Sequence, residues 1–257
     1  MTTWDPKQYE RFKVYRDRPA LDLMVQIPSD LEPKEIWDLG CGTGEHAALL
    51  ALRHPSARVH GLDSSAEMLA IARERSGSVE WTQGSIDGFA PDVPPDLIFT
   101  NAALQWLPHH SVLFPHLVST LAKGGVFACQ VPISFGESWY AALREIAAEG
   151  PWAERMRSVR SVQPVSAPSD YYDWLSPLAD VDIWSTVYLH ILDGERPVVE
   201  WMKGTGLRPY LQVLQDPREQ ADFLDLYQAK VERDLPKRAD GKTLFPFPRL
   251  FIIARRR

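Results

Sequence analysis

The chain has 257 residues, 45% of them hydrophobic, and a net charge of −6. That is enough for one large globular domain or one domain with a sizeable insertion, and the acidic balance argues against a binder of bulk nucleic acid. No apolar run approaches the roughly 20 residues that a membrane span needs. Met1-Thr2-Thr3-Trp4-Asp5 has neither a basic nor an apolar leader region, so no secretory signal is read there. Cys41 and Cys129 fall in core-forming segments and are read as small buried residues, not as a disulfide or metal site. There is no internal repeat and no low-complexity tract.

In chain order, Trp4 to Ile27 reads as helical and rich in aromatic residues. Tyr9, Phe12 and Tyr15 recur at three-residue spacing and so share a face. Arg11, Arg16 and Arg18 are interspersed, as on the solvated side of an amphipathic helix. Pro19 suits the first turn of a second helix, Ala20–Ile27.

The most informative stretch follows, Glu35-Ile36-Trp37-Asp38-Leu39-Gly40-Cys41-Gly42-Thr43-Gly44. An apolar run ends in an acid, three glycines follow at alternate positions, and a helix starts at Glu45. The pattern is a buried strand, a tight turn and a helix start. Glycine lets backbone N–H groups approach a ligand and lets the chain turn with positive φ. A second acid, Asp63, comes about twenty residues later, after a second apolar-rich run, where nucleotide folds place a carboxylate on a ribose diol. Dinucleotide folds use G-x-G-x-x-G with a pyrophosphate at the helix start. Here the spacing is D-x-G-x-G-x-G, and an acid at the strand end repels a pyrophosphate but favours a cation. The sulfonium and α-amino group of S-adenosylmethionine meet that requirement. In these residues the stretch resembles motif I of the class I S-adenosylmethionine-dependent methyltransferases.

Strand and helix then alternate. Ser64 or Ser65 caps a helix through Met68, Leu69, Ala72 and Arg73, and Val79–Gln83 is a short strand. Gly84-Ser85-Ile86-Asp87 falls where the family commonly has an acid for the adenine amino group. Ser85 stands at that position, with Asp87 two residues on, which is a departure from the pattern. Pro95–Asn101 is the fourth strand. It runs into Ala102-Ala103-Leu104-Gln105-Trp106-Leu107-Pro108, which resembles the family's motif IV at the ligand-binding edge of an open sheet. His109 and His110 read as loop surface or as general bases. Ser111–Leu121 is a helix stopped by Lys123-Gly124-Gly125, and Val126–Val131 is a buried strand. Helices follow at Trp139–Ala148, Pro197–Lys203 and Pro217–Arg233, with Gly204–Tyr210 as connector between the last two. Asp170–Leu178 is packed structure, and Val181–Leu192 and Lys242–Arg255 are strands.

The expected fold is α/β, a seven-stranded, mostly parallel, Rossmann-like sheet with helical cap insertions, and the class resemblance implies that the N-terminal helical segment is a lid. The expected division is 1–32 lid, 33–132 cofactor-binding core, 133–180 cap insertion, 181–192 core strand, 193–241 second cap insertion and 242–257 last core strand. The class resemblance implies S-adenosylmethionine as cofactor, with S-adenosylhomocysteine as product and no metal. It implies cofactor contacts from Asp38, Gly40, Gly42, Gly44, Asp63, Ser64, Met68, Ser85, Ile86, Asn101, Ala102 and Trp106.

Longer blocks are similar to the bacterial trans-aconitate 2-methyltransferase family. They are Trp4-Asp5-Pro6, Arg18-Pro19-Ala20, Asn101–Pro108, Leu113–Val118, Val181–Trp184, Thr205–Leu211 and Phe247–Arg256, so the similarity spans nearly the whole chain. It implies methyl transfer to one carboxylate of a small tricarboxylate, giving a monomethyl ester, in a cytoplasmic enzyme with no nucleic-acid or membrane partner. A carboxylate is already ionised near pH 7, so it needs no general base and no catalytic residue is expected. Three buried negative charges do need cationic partners, and arginine forks suit carboxylates best. The candidates are Arg16, Arg18, Arg144, Arg208 and Arg249. Tyr9, Tyr140, Tyr171, Tyr172 and Tyr210 are candidate hydroxyl donors, and Trp106 and Trp201 can pack on the carbon skeleton. Two other readings stay open. One is a methyltransferase for another small acid, a phenol or a carbon nucleophile; the other is a non-catalytic cofactor-binding module.

Overall fold

The computed structural model describes residues 13–159 and 165–257. The first described helix, α1 (Lys13–Val25), runs through Pro19, so the expected start of a second helix at Pro19 is not found. Pro19, Ala20 and Leu23 are all buried, and that apolar packing offsets the one intrahelical bond a proline removes. The Trp4–Phe12 part of the expected helix, with Tyr9, lies outside the described residues.

Strands β1 (Glu35–Leu39), β2 (Arg58–Asp63), β3 (Val79–Gln83), β4 (Leu97–Asn101) and β5 (Val126–Pro132) alternate with helices α2 (Glu45–Arg53), α3 (Ala66–Arg75) and α4 (His110–Thr120). Then come α5 (Ser138–Ala148), α6 (Ala153–Met156), α7 (Pro168–Leu175), β6 (Ala179–Leu192), α8 (Pro197–Lys203), α9 (Arg208–Val213), α10 (Pro217–Asp234) and β7 (Thr243–Arg256). Helix α9 begins where a connector was expected, because Pro209 sits in its first turn with φ already set for a helix.

The seven strands form one sheet in the order β3-β2-β1-β4-β5-β7-β6. The β1/β2, β2/β3, β1/β4 and β4/β5 pairs are parallel, and β7 runs antiparallel to β5. Helices cover both faces, which is why β5 is buried along its whole length and reads as an apolar run without alternation. Ala47 and Leu50 of α2, and Leu69 and Ala72 of α3, are buried with it. Strand order reverses between β1 and β4, and the crevice at such a reversal is where open α/β sheets bind ligands.

The chain folds as two compact units. One comprises Arg18–Pro132, Val165–Thr186 and Arg249–Arg257, and so contains β1 to β5. The other comprises the stretch up to Asp17, Ile133–Pro164 and Val187–Pro248. Within the latter, Lys230 of α10 pairs with Glu145 of α5 at 2.6 Å. Trp139 packs against Phe245 and Phe247, with ring centroids 4.8 and 5.3 Å away.

Candidate active site

The turn after β1 is shaped by its glycines. Gly40, Gly42 and Gly44 all have positive φ, at 76°, 55° and 79°. A Cβ at Gly40 would overlap Ala103, and one at Gly44 would overlap the Trp81 indole. A Cβ at Gly42 would meet no atom within 4 Å. Gly40 and Gly44 are thus demanded by packing, and Gly42 leaves open space over its backbone. The Gly40 and Cys41 N–H groups donate to the Leu62 carbonyl at 2.8 and 3.1 Å, pinning the turn to β2.

Asp63 is held by the same turn. Its Oδ2 accepts from Gly42 N–H and its Oδ1 from Ser65 N–H, both at 2.8 Å. Each oxygen keeps a lone pair, so a rigid carboxylate stands at the end of β2 for a diol to donate to. Ser65, not Ser64, caps α3, accepting from Met68 N–H at 3.2 Å. Ser64 is exposed, and its carbonyl accepts from Gln83.

Asp38 is 1% exposed. Burial pushes its carboxyl up to about 7; a bond from the Ala47 N–H opposes the shift and the nearby Asp63 charge adds to it. Its Oδ2 is buried without a hydrogen-bond partner among the described residues. A buried acceptor left unmade is costly, and a cationic group seated there would remove that cost. The cradle therefore suits a cationic, ribose-bearing cofactor such as S-adenosylmethionine. Burial also raises the Cys41 thiol well above its usual range, so it stays an inert wall residue.

Around this cradle, Ile86 is buried beside Gly40. Ser85, at the position of the family's usual acid, is exposed and donates its hydroxyl to Asp87, so the two polar groups act as one. Asn101 ends β4 in register with Gln130, and its Oδ1 is buried without a partner among the described residues. Ala102 adopts φ of 53°, unusual for a residue with a Cβ. Its N–H donates to the Gln130 carbonyl at 2.9 Å, and its carbonyl accepts from Gln105 at 2.6 Å. Those two bonds hold the sharp bend that sends the chain into the turn Leu104–Trp106, where Trp106 is half-buried.

The acceptor candidates have varied surroundings. Arg249 is 5% exposed and donates to Gln130 Oε1 at 3.0 Å. Arg16 is half-buried, with its guanidinium 5.4 Å from the centre of the Trp201 ring, which itself stacks on His190 at 4.6 Å. Arg208 is half-buried at the start of α9, and Tyr210 is buried 6.3 Å from the Phe223 ring. Tyr140 is buried against Trp139 and Phe135. Others turn away. Arg18 is 72% exposed and faces Asp22, and Tyr172 is 53% exposed. Arg144 lies 3.8 Å over the Phe135 ring and donates to its carbonyl. Tyr171 is fully buried with its hydroxyl 2.6 Å from His110 Nδ1. His110 is buried too, its Nε2 2.9 Å from the Leu104 carbonyl, whereas His109 is exposed. Gln130 went unnoticed in the sequence. Its signal was a large amide in the middle of an otherwise apolar strand.

This arrangement has close relatives. Residues 36–125 match the family model of a methyltransferase domain. The chain is 46% identical to the trans-aconitate 2-methyltransferase of Azoarcus sp. (strain BH72), over 99% of both chains. It is 45% identical to that of Methylobacterium nodulans, over 100% of this chain and 99% of the other. Among solved structures, the YcgJ protein of Bacillus subtilis superposes with a TM-score of 0.59 at 16% identity, covering 93% of this chain and 99% of that one; it shares the fold. An acid-tipped strand, a glycine turn and an anchored second carboxylate, carried on a sequence this similar from end to end, have one explanation: the chain belongs to the trans-aconitate 2-methyltransferase family.

Proposed function

We propose that this enzyme transfers the methyl group of S-adenosylmethionine to one carboxylate of trans-aconitate, giving a monomethyl ester and S-adenosylhomocysteine, with no metal. The observation that carries the cofactor half is the buried, unsatisfied Oδ2 of Asp38 beside the positive-φ turn. The acceptor half rests on the names of relatives similar over their whole length. When bound, the cofactor supplies an electrophilic methyl carbon, to which a carboxylate oxygen bonds as the carbon–sulfur bond breaks and its electron pair stays on sulfur. No proton moves, so the chain need not offer a base. Its residues act by position and charge. Asp38 sets a negative charge by the turn, Asp63 offers its remaining lone pairs to the ribose, and Gly42 keeps the approach open. Ser64, Met68, Ser85, Ile86, Asn101, Ala102 and Trp106 complete the cofactor's surroundings in this reading.

The test is methyl transfer from labelled S-adenosylmethionine in parallel assays of trans-aconitate, cis-aconitate, citrate and isocitrate. Trans-aconitate is expected to have the highest kcat/KM. Absent or equal turnover on it would remove the assignment of the acceptor.

A further inference from the structure

The carboxyl-terminal edge of the sheet carries a row of buried polar groups whose character changes along it. Register pairs Asp38 with Phe99, Asn101 with Gln130, and Pro132 with Arg249. Residues two apart on a strand share a face, so Asp38, Asn101, Gln130 and Arg249 stand on the same face. All four lie in the same compact unit.

On this face of β1 and β4, the buried atoms without partners among the described residues are acceptors, Asp38 Oδ2 and Asn101 Oδ1; Thr100 Oγ1, also without one, lies on the opposite face. On β5 the corresponding atom is a donor. Gln130 is 0% exposed and its Oε1 accepts from Arg249. A guanidinium can only donate, so that bond fixes which way the amide points. Its NH2 end is then left without a partner among the described residues. Most buried polar atoms are hydrogen-bonded, so a buried donor left over calls for a partner. Beside it, Arg249 brings a buried positive charge and further N–H groups.

Acceptors at one end and donors at the other suit two ligands of opposite charge laid end to end. A cation is stabilised over Asp38 and Asn101, and an anion over Gln130 and Arg249. We infer that Gln130, together with Arg249, seats a carboxylate of the acceptor, and that the methyl group crosses near the β4–β5 boundary marked by Asn101. This rests on the reading of the acceptor as a small carboxylic acid. It makes Gln130 a specificity-determining residue and selects Arg249 among the cationic candidates.

The test compares Gln130→Glu, Gln130→Met and Arg249→Lys with the wild type in steady-state kinetics on trans-aconitate, alongside calorimetric titration of S-adenosylhomocysteine. Gln130→Glu puts a negative charge in the seat, and its KM for the acid is expected to rise at least about tenfold. Gln130→Met loses only the donor and is expected to show a smaller rise, and Arg249→Lys, which loses the fork, is expected to rise as well. Cofactor affinity should stay within about twofold in all three, which also reports that the cradle is folded. An unchanged KM in both Gln130 variants overturns the seat while leaving the acceptor assignment intact. Parallel loss of cofactor affinity overturns it too, because Gln130 would then be supporting the cradle. A wild type that binds S-adenosylhomocysteine but neither binds nor methylates any of the acids removes the acceptor assignment, and the seat with it.

Discussion

A carboxyl group at Asp38 is favoured in the fold when neutral, because burial outweighs its single backbone bond. Its folded value, about 7, lies above the 3.8 of an unperturbed aspartate. The stability it lends is therefore fully present below 3.8 and is lost as pH rises through about 7. A shift of that size corresponds to a few kcal/mol, on the order of one per pH unit crossed. The cofactor-free protein should accordingly melt at a lower temperature at pH 8 than near pH 5, and Asp38→Asn, which cannot ionise, should lose that part of the slope. Cofactor binding should run the other way, tightening as pH rises through about 7, because a cation binds the ionised form. Melting curves across pH, with and without saturating S-adenosylmethionine, check both signs; a wild type and variant with parallel pH slopes would show that Asp38 is solvated and ionised throughout. Asp38 and Asp63 were legible from spacing alone, since each acid ends an apolar run and a glycine turn intervenes. Gln130 was not, because its hydrogen bond to Arg249 spans strands far apart in sequence.

Elements obey local patterns until tertiary packing outweighs them. The strand–turn–helix around Gly40–Gly44 forms where its sequence says, because strand, glycines and helix start all agree. Helix α1 instead continues through Pro19 because that face is buried. Periodicity also could not tell an aromatic residue that lines a site from one that joins two helices. Tyr171 does the latter. Its hydroxyl lies 2.6 Å from His110 Nδ1, and His110 Nε2 lies 2.9 Å from the Leu104 carbonyl. A carbonyl can only accept, so Nε2 carries the proton and Nδ1 accepts from Tyr171. The pair thus ties α7 through α4 to the turn that follows β4. Burial keeps His110 below its ordinary value, against the raising effect of its backbone bonds, which fits the neutral tautomer. Tyr171→Phe leaves Nδ1 without its donor and should cost about 1–3 kcal/mol in urea unfolding, with KM for the acid unchanged. A raised KM at undiminished stability would return Tyr171 to the acceptor site.

For the whole molecule, β–α alternation was enough to foretell a seven-stranded, mostly parallel sheet, because parallel strands need crossover helices and those occupy recognisable lengths of chain. Which side chains the non-sheet segments turn inward depends on contacts remote in sequence. Arg144 settles over Phe135 and Arg16 over Trp201, and neither choice has a local signature. The division into two compact units also bears on ligand binding. The groups around the glycine turn, Asp38, Asp63, Ile86, Asn101 and Ala102, all fall within Arg18–Pro132, in one unit. Cofactor alone should therefore slow amide exchange at Gly40–Gly44, Asp63–Ser65 and Asn101–Trp106, leaving α10, in the other unit, at its cofactor-free rate. At a hundredfold excess over Kd, binding adds about 2.7 kcal/mol to global stability. Amides that exchange only by global unfolding would slow by that same amount in both units, so the comparison belongs to amides that open locally. If α10 slowed locally with S-adenosylhomocysteine alone, the cofactor would be drawing on residues of both units, and a cradle confined to Arg18–Pro132 would be ruled out.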